Sequence, residues 1–201
     1  FTNIFKNLSS WAFFSSFSTV FSSLFWRLVI YSYYDKAVAS ILFSSFAIGS
    51  FPGTAFNIAI GPTYIKNKLY LNTLLKRIIT FLFLIIFALS IISLSIIIFD
   101  KYKINFDENL FFYSLSFSLL GSFMMTQAMF MRQRIVQSNI NLSLAIFKVD
   151  VAYGIFISLI CPFFYWVGDI FAISLTFFAG SFSALIIYGF FYKSFKNQII
   201  K

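Results

Sequence analysis

Long apolar runs separated by short polar interruptions organise this chain. The first run covers 8–31 and gives way to Tyr33, Tyr34, Asp35 and Lys36. The second covers 37–60 and closes on Gly61-Pro62. A basic stretch from Lys66 to Arg77 precedes the third, 78–99, which carries no charge at all. The loop 100–109 leads to the fourth, 110–131, halted by Arg132-Gln133-Arg134, and a fifth covers 140–166. After Gly168-Asp169 the sixth covers 170–192, ahead of a basic tail with Lys193, Lys196 and Lys201. Each run reaches the roughly 20 residues an α-helix needs to cross a bilayer, where the backbone must satisfy its own hydrogen bonds. The pattern predicts an all-α polytopic membrane protein: one six-helix bundle over 1–201, with no loop long enough for a folded soluble domain. The first run lacks the short apolar segment of a cleavable signal peptide and reads as a signal anchor.

Composition agrees with this pattern. Of the 201 residues 60% are hydrophobic and 10% charged, unlike a soluble domain of that length. The 32 Phe, in a chain also rich in Ile, Lys, Asn and Ser, match what an AT-rich gene encodes and carry no functional weight here. With a single cysteine, Cys161, no intrachain disulfide can form, and the chain has no His. The usual metal, haem-ligand and proton-shuttle constellations are therefore missing, and no cofactor or metal is expected.

Charge adds a direction. With an even number of crossings, one side holds both termini together with Lys6, Lys66, Lys68, Lys76, Arg77, Arg132, Arg134, Lys193, Lys196 and Lys201, and no acid. The other side holds Arg27, Lys36, Lys101 and Lys103 with Asp35, Asp100, Asp107, Glu108 and Asp169. Short cytoplasmic loops retain Lys and Arg, so both termini are expected in the cytoplasm. The net charge of +9 then reflects topology and anionic lipid rather than nucleic acid.

Against this background the ionisable groups inside the spans stand out. Lys148 and Asp150 lie about 12 and 15 Å beyond Ile140 at 1.5 Å per residue, a costly depth whose default reading is functional. They point about 200° apart around the helix and cannot pair with each other, so each needs a partner elsewhere. The plainer alternative is a later helix start that lets Lys148 snorkel to the headgroups. In the first span Ser9, Ser16, Ser23 and Arg27 fall within about 40° of one another. That stripe fits either a cavity wall whose guanidinium meets an anion or a small-residue packing surface with Arg27 snorkelling outward. Pro52 and Gly53 interrupt the second span as a kink or hinge. Asn57 and Gln127 are polar groups that line a path or bond across helices, and Gly180 with Ala184 form a small-xxx-small pair. The acids Asp107 and Glu108 read as a solvated loop. No nucleophile and base pair or phosphate loop is present, so no enzyme is expected.

The order of these features resembles the lipid-linked oligosaccharide flippases, of O-antigen type, in the multidrug and polysaccharide exporter superfamily. Similar in placement are Arg27 late in the first helix, Ala59-Ile60-Gly61-Pro62 followed by Lys66 and Lys68, Lys148 in the fifth helix, and 163–175 with its Gly168 turn. The family's usual Gly-Tyr pair between the first two helices is replaced by Tyr33-Tyr34-Asp35. The resemblance implies the C-terminal half of a MATE-like twelve-helix transporter, with a companion six-helix block preceding Phe1. It also implies a lipid-linked sugar as cargo and a possible coupling ion. A cavity would be lined by Arg27, Lys148, Asp150, Ser16, Ser23 and Asn57, with Pro52 and Gly53 as hinge. Two other classes stay open. A membrane-embedded glycan polymerase or glycosyltransferase should carry a long outer loop rich in Arg, His or carboxylates, and a non-catalytic assembly subunit would be complete at six helices.

Overall fold

A computed structural model describes residues 2–66, 107–138, 140–167 and 170–195. The described residues are helical, with no strand among them. They form α1 Thr2–Tyr33, α2 Lys36–Lys66, α3 Glu108–Ser138, α4 Ile140–Val167, the single-turn α5 Ile170–Ser174, and α6 Thr176–Ser194. Among the described residues four segments are long and apolar enough to cross a membrane: Leu8–Tyr33, Lys36–Ala55, Asn141–Val167 and Ala172–Ser194. The charge-free segment 78–99, expected as the third span, lies outside the described residues.

The contacts fix the directions of the helices. Gly49 meets Ser118 and Gly53 meets Ser122 and Thr126, so α2 and α3 run parallel. Ser15 reaches Asp150 and Tyr33 stacks on Tyr165, so α1 and α4 run parallel too. In the pairing of α6 with α3, Gly121 faces Phe177 and Ser181 while Gly189 faces Met131, again in parallel. Thus α2, α3 and α6 point one way, and α1 and α4 the other. The chain leaves α2 at one end of the bundle and enters α3 at the other.

α3 sits at the centre, packed against α2, α4, α5 and α6. It is not among the four described segments long and apolar enough to cross a membrane, and its position explains why. Ser114, Ser118, Ser122 and Thr126 recur every fourth residue on one stripe and are buried. They face protein rather than lipid and let neighbouring backbones come close, the usual role of small residues between membrane helices. Opposite them Gly49 and Gly53, also four apart, form the matching stripe of α2. A Cβ added at either glycine would collide with Ser118 or Ser122.

The helix α2 continues without a break through Pro52. Proline lacks an N–H and disturbs the ladder; here the Gly53 N–H donates to Ser122 Oγ at 3.0 Å, and that hydroxyl donates in turn to the Ser50 carbonyl at 3.3 Å. The neighbouring helix thereby supplies polar partners to the backbone on either side of Pro52.

Two apolar clusters close the ends of the bundle. At the end where α1 finishes, Val29, Ile30, Leu42, Phe46, Leu110 and Ile173 pack together. At the end where α1 starts, Ala128, Ile135, Leu142, Ile146, Ala184 and Tyr188 do so.

Three boundaries differ from the sequence expectation. α3 runs on through Arg132-Gln133-Arg134 to Ser138, leaving only Asn139 between it and α4. The basic residues need no solvated loop because Arg132 is neutralised inside the bundle, as described below. The sixth run is divided at Leu175, where the Leu175 N–H turns to the Ala172 carbonyl at 3.1 Å and the buried Ser114 and Ser174 hydroxyls meet at 2.7 Å. Asp107 is not merely solvated: its Oδ1 accepts the Leu110 N–H at 3.0 Å, capping the start of α3 as an N-terminal aspartate does.

Candidate functional site

Asp150, in the second half of the third turn of α4, is 3% exposed. A carboxylate so deeply buried must be paired and hydrogen-bonded or it would cost several kcal/mol, on the order of 3–5 when a buried partner is missing. Its partner is Arg132 of α3. Arg132 Nη2 lies 2.5 Å from Asp150 Oδ2, and Nε donates to both carboxylate oxygens at 3.0 Å. Two further donors complete the shell. Tyr188 of α6 donates its hydroxyl to Oδ1 at 2.6 Å, and Ser15 of α1 donates to Oδ2 at 2.5 Å. Arg132 Nη2 also reaches Ser15 Oγ at 3.3 Å.

One carboxylate therefore gathers donors from α1, α3 and α6 while standing on α4. Local sequence makes this geometry possible. Gly154, one turn beyond Asp150, has Ser18 so close that a Cβ would collide with its hydroxyl, and Ser18 Oγ donates to the Val151 carbonyl at 3.3 Å. This close approach of α1 to α4 brings Ser15 within reach. On the other side, Ser143 hydrogen-bonds the Val136 carbonyl and draws α3 against α4 one turn beyond Arg132. Tyr153, one turn from Val149, donates to the Gly180 carbonyl at 2.8 Å and holds α6 so that Tyr188 faces Asp150, the two rings 6.1 Å apart.

Around this core lies a looser shell of cations. Arg132 keeps 23% of its side chain exposed, and its Cζ is 5.9 Å from the centre of the Phe147 ring. Lys148 is exposed, with Nζ 5.3 Å above the Trp11 ring, a cation–π placement. Two residues further along α3, Arg134 donates to Tyr192 Oη at 2.9 Å. All lie at the end of the bundle where α1 begins and α3 ends.

Of the residues singled out from sequence, Asp150 is at the centre and Lys148 stands two residues before it, pointing elsewhere as the helical angle requires. Arg27, Ser16 and Ser23 lie on the exposed side of α1, away from Asp150. The serines of α1 that turn inward are Ser15 and Ser22. Pro52 and Gly53 are buried at the α2–α3 contact. Asn57, one turn on, has a buried Oδ1 with no hydrogen-bond partner among the described residues and is not part of the Asp150 shell.

Arg132, Ser15 and Tyr188 were not singled out from sequence. Arg132 ended an apolar run and so read as a loop charge. Ser15 was one of seven serines between Ser9 and Ser23, which mark two competing stripes with nothing in the pattern to choose between them. The one usable signal was the requirement that buried Asp150 have a cationic partner.

No protein family, curated protein or solved structure matches this chain.

Proposed function

We propose that this chain is a membrane transporter of the flippase type, moving a lipid-linked oligosaccharide across a bacterial inner membrane for polysaccharide biosynthesis, with both termini in the cytoplasm. The observation that carries the reading is the Asp150–Arg132 pair. It is a buried ion pair within a bundle of membrane-spanning length, and it ties four helices through one carboxylate. Ionisable groups in such places mark transport paths or the elements that move along them, and a charge shared by several helices couples their relative positions to its own neutralisation. Arg132 is the partner that Asp150 requires at that depth, while Arg27 lies on the exposed side of α1. Six crossings follow if 78–99 supplies the return passage between the parallel helices α2 and α3. Alternating access then needs Asp150 to exchange partners, with Pro52 and Gly53 of α2 as the place where that helix bends.

The test is complementation in cells whose surface polysaccharide depends on this gene. Asp150→Asn and Arg132→Gln, each shown to reach the membrane at normal abundance, should abolish surface polymer and cause lipid-linked repeat units to build up on the cytoplasmic side. Accumulation of single exported units on the outer face would instead identify a polymerase. Unchanged polymer in both variants would leave an assembly subunit as the better reading.

A further inference from the structure

Arg132 has a second face. Its Nε and Nη2 are committed to Asp150 and Ser15, while Nη1 has no acceptor among the described residues and does not appear among the buried unpaired atoms. It is therefore an accessible donor pair on a guanidinium already held in place. Lys148 is the neighbouring cation. It is exposed, contacting Trp11 of α1, while Arg132 contacts Ser15 of α1. Trp11 and Ser15 are four residues apart and so lie on the same stripe of α1, neighbours at roughly 5–6 Å. The two cations thus stand about one helical turn apart in the groove where α1 meets the α3–α4 hairpin, with Phe147 beneath Arg132.

The depth of this groove is that of a headgroup. α1 has 32 residues, about 48 Å at 1.5 Å each, against a hydrocarbon core of about 30 Å. If the excess is shared, about 9 Å projects from each face. Arg132 lies six residues before the end of α3, about 9 Å at the same rise, which puts it at the hydrocarbon boundary. Trp11 and the Lys148 stem sit a few residues deeper, where an indole and a snorkelling ammonium are at home. The charges Arg132 and Lys148 against Asp150 leave one net positive charge, and Arg134 adds another nearby.

We propose that this groove is a binding site for the phosphate of an anionic phospholipid. Arg132 Nη1 and Lys148 Nζ hold the phosphate oxygens, and the exposed apolar face of α1 beside it, with Phe14 at 51% and Phe17 at 58% exposure, takes the acyl chains. A zwitterionic choline lipid fits less well, because the Trp11 face that could hold a quaternary ammonium is already covered by Lys148. The proposal does not rest on the chain being a transporter.

The protein, delipidated in a neutral detergent, is titrated with dioleoyl phosphatidylglycerol, dioleoyl phosphatidylcholine, or inorganic phosphate while thermal unfolding is followed. At ten times its dissociation constant phosphatidylglycerol should raise the midpoint by about 3–6 °C, and phosphatidylcholine by much less. Lys148→Ala, an exposed change that leaves the Asp150 shell intact, should remove at least half of that shift, and Arg134→Ala should retain it. An equal response to both lipids, retention in Lys148→Ala, or an equal loss in Arg134→Ala would overturn the site. The last result would leave only diffuse attraction to the basic end. A full response to inorganic phosphate alone keeps the anion site and assigns it to free phosphate instead of lipid.

Discussion

Removing Arg132 is the sharpest test of how the bundle is held. In Arg132→Met the side chain keeps its apolar bulk against Phe147, while Asp150, 3% exposed, is left with Tyr188 and Ser15 as its remaining donors. Breaking a buried pair from one side costs about 3–5 kcal/mol, because it strands the other charge. Asp150→Leu strands the guanidinium instead, less severely, since Arg132 is 23% exposed and can turn toward water; about 2–3 kcal/mol is expected. The double variant Arg132→Met/Asp150→Leu strands neither charge. It should be more stable than Arg132→Met and fall short of the sum of the single effects by at least about 2 kcal/mol. For a chain of this size each kcal/mol moves the unfolding midpoint by about 2–4 °C, so Arg132→Met should lose about 6 °C or more. Thermal unfolding in detergent, or steric trapping in bicelles, measures all corners of the cycle. If the two single effects simply add in the double variant, the pair is not an energetic unit and its assignment as the tie between four helices fails.

Two further outcomes are expected. Gly53→Leu places a side chain against Ser122 and Thr126 and removes the room for the Gly53-to-Ser122 hydrogen bond; overpacking of this kind costs about 1–3 kcal/mol, so a midpoint unchanged within 1 °C of wild type, by rough conversion, would refute the close α2–α3 contact. Single cysteines at Glu108 and at Lys193, at opposite ends of the bundle in this fold, should be labelled from opposite sides of sealed membranes by an impermeant maleimide. Labelling of both from one side would be incompatible with the arrangement of α3 and α6.

Much of the helical architecture is legible in the sequence, and the reason is local. A membrane helix satisfies its own backbone, so long apolar runs at 8–31, 37–60, 140–166 and 170–192 suffice to mark α1, α2, α4 and α6. The need for a partner to Asp150 is legible for the same reason, since a carboxylate at that depth cannot remain unpaired. What the run of residues could not settle is which groups answer that need, or which of two serine stripes on α1 turns inward. Those depend on how helices distant in sequence approach one another: Gly154 against Ser18, Gly49 and Gly53 against the Ser118–Ser122–Thr126 stripe, Tyr153 on Gly180. Because lipid is as apolar as a leucine side chain, hydrophobicity does not by itself sort the faces of these helices, and close packing of small residues has to do it. The apolar runs thus determined that the chain forms helices long and apolar enough to cross a membrane and that Asp150 must be neutralised. Only the tertiary structure decided that Arg132 does so, that Ser15 and Tyr188 complete its shell, and that Arg27 stands apart.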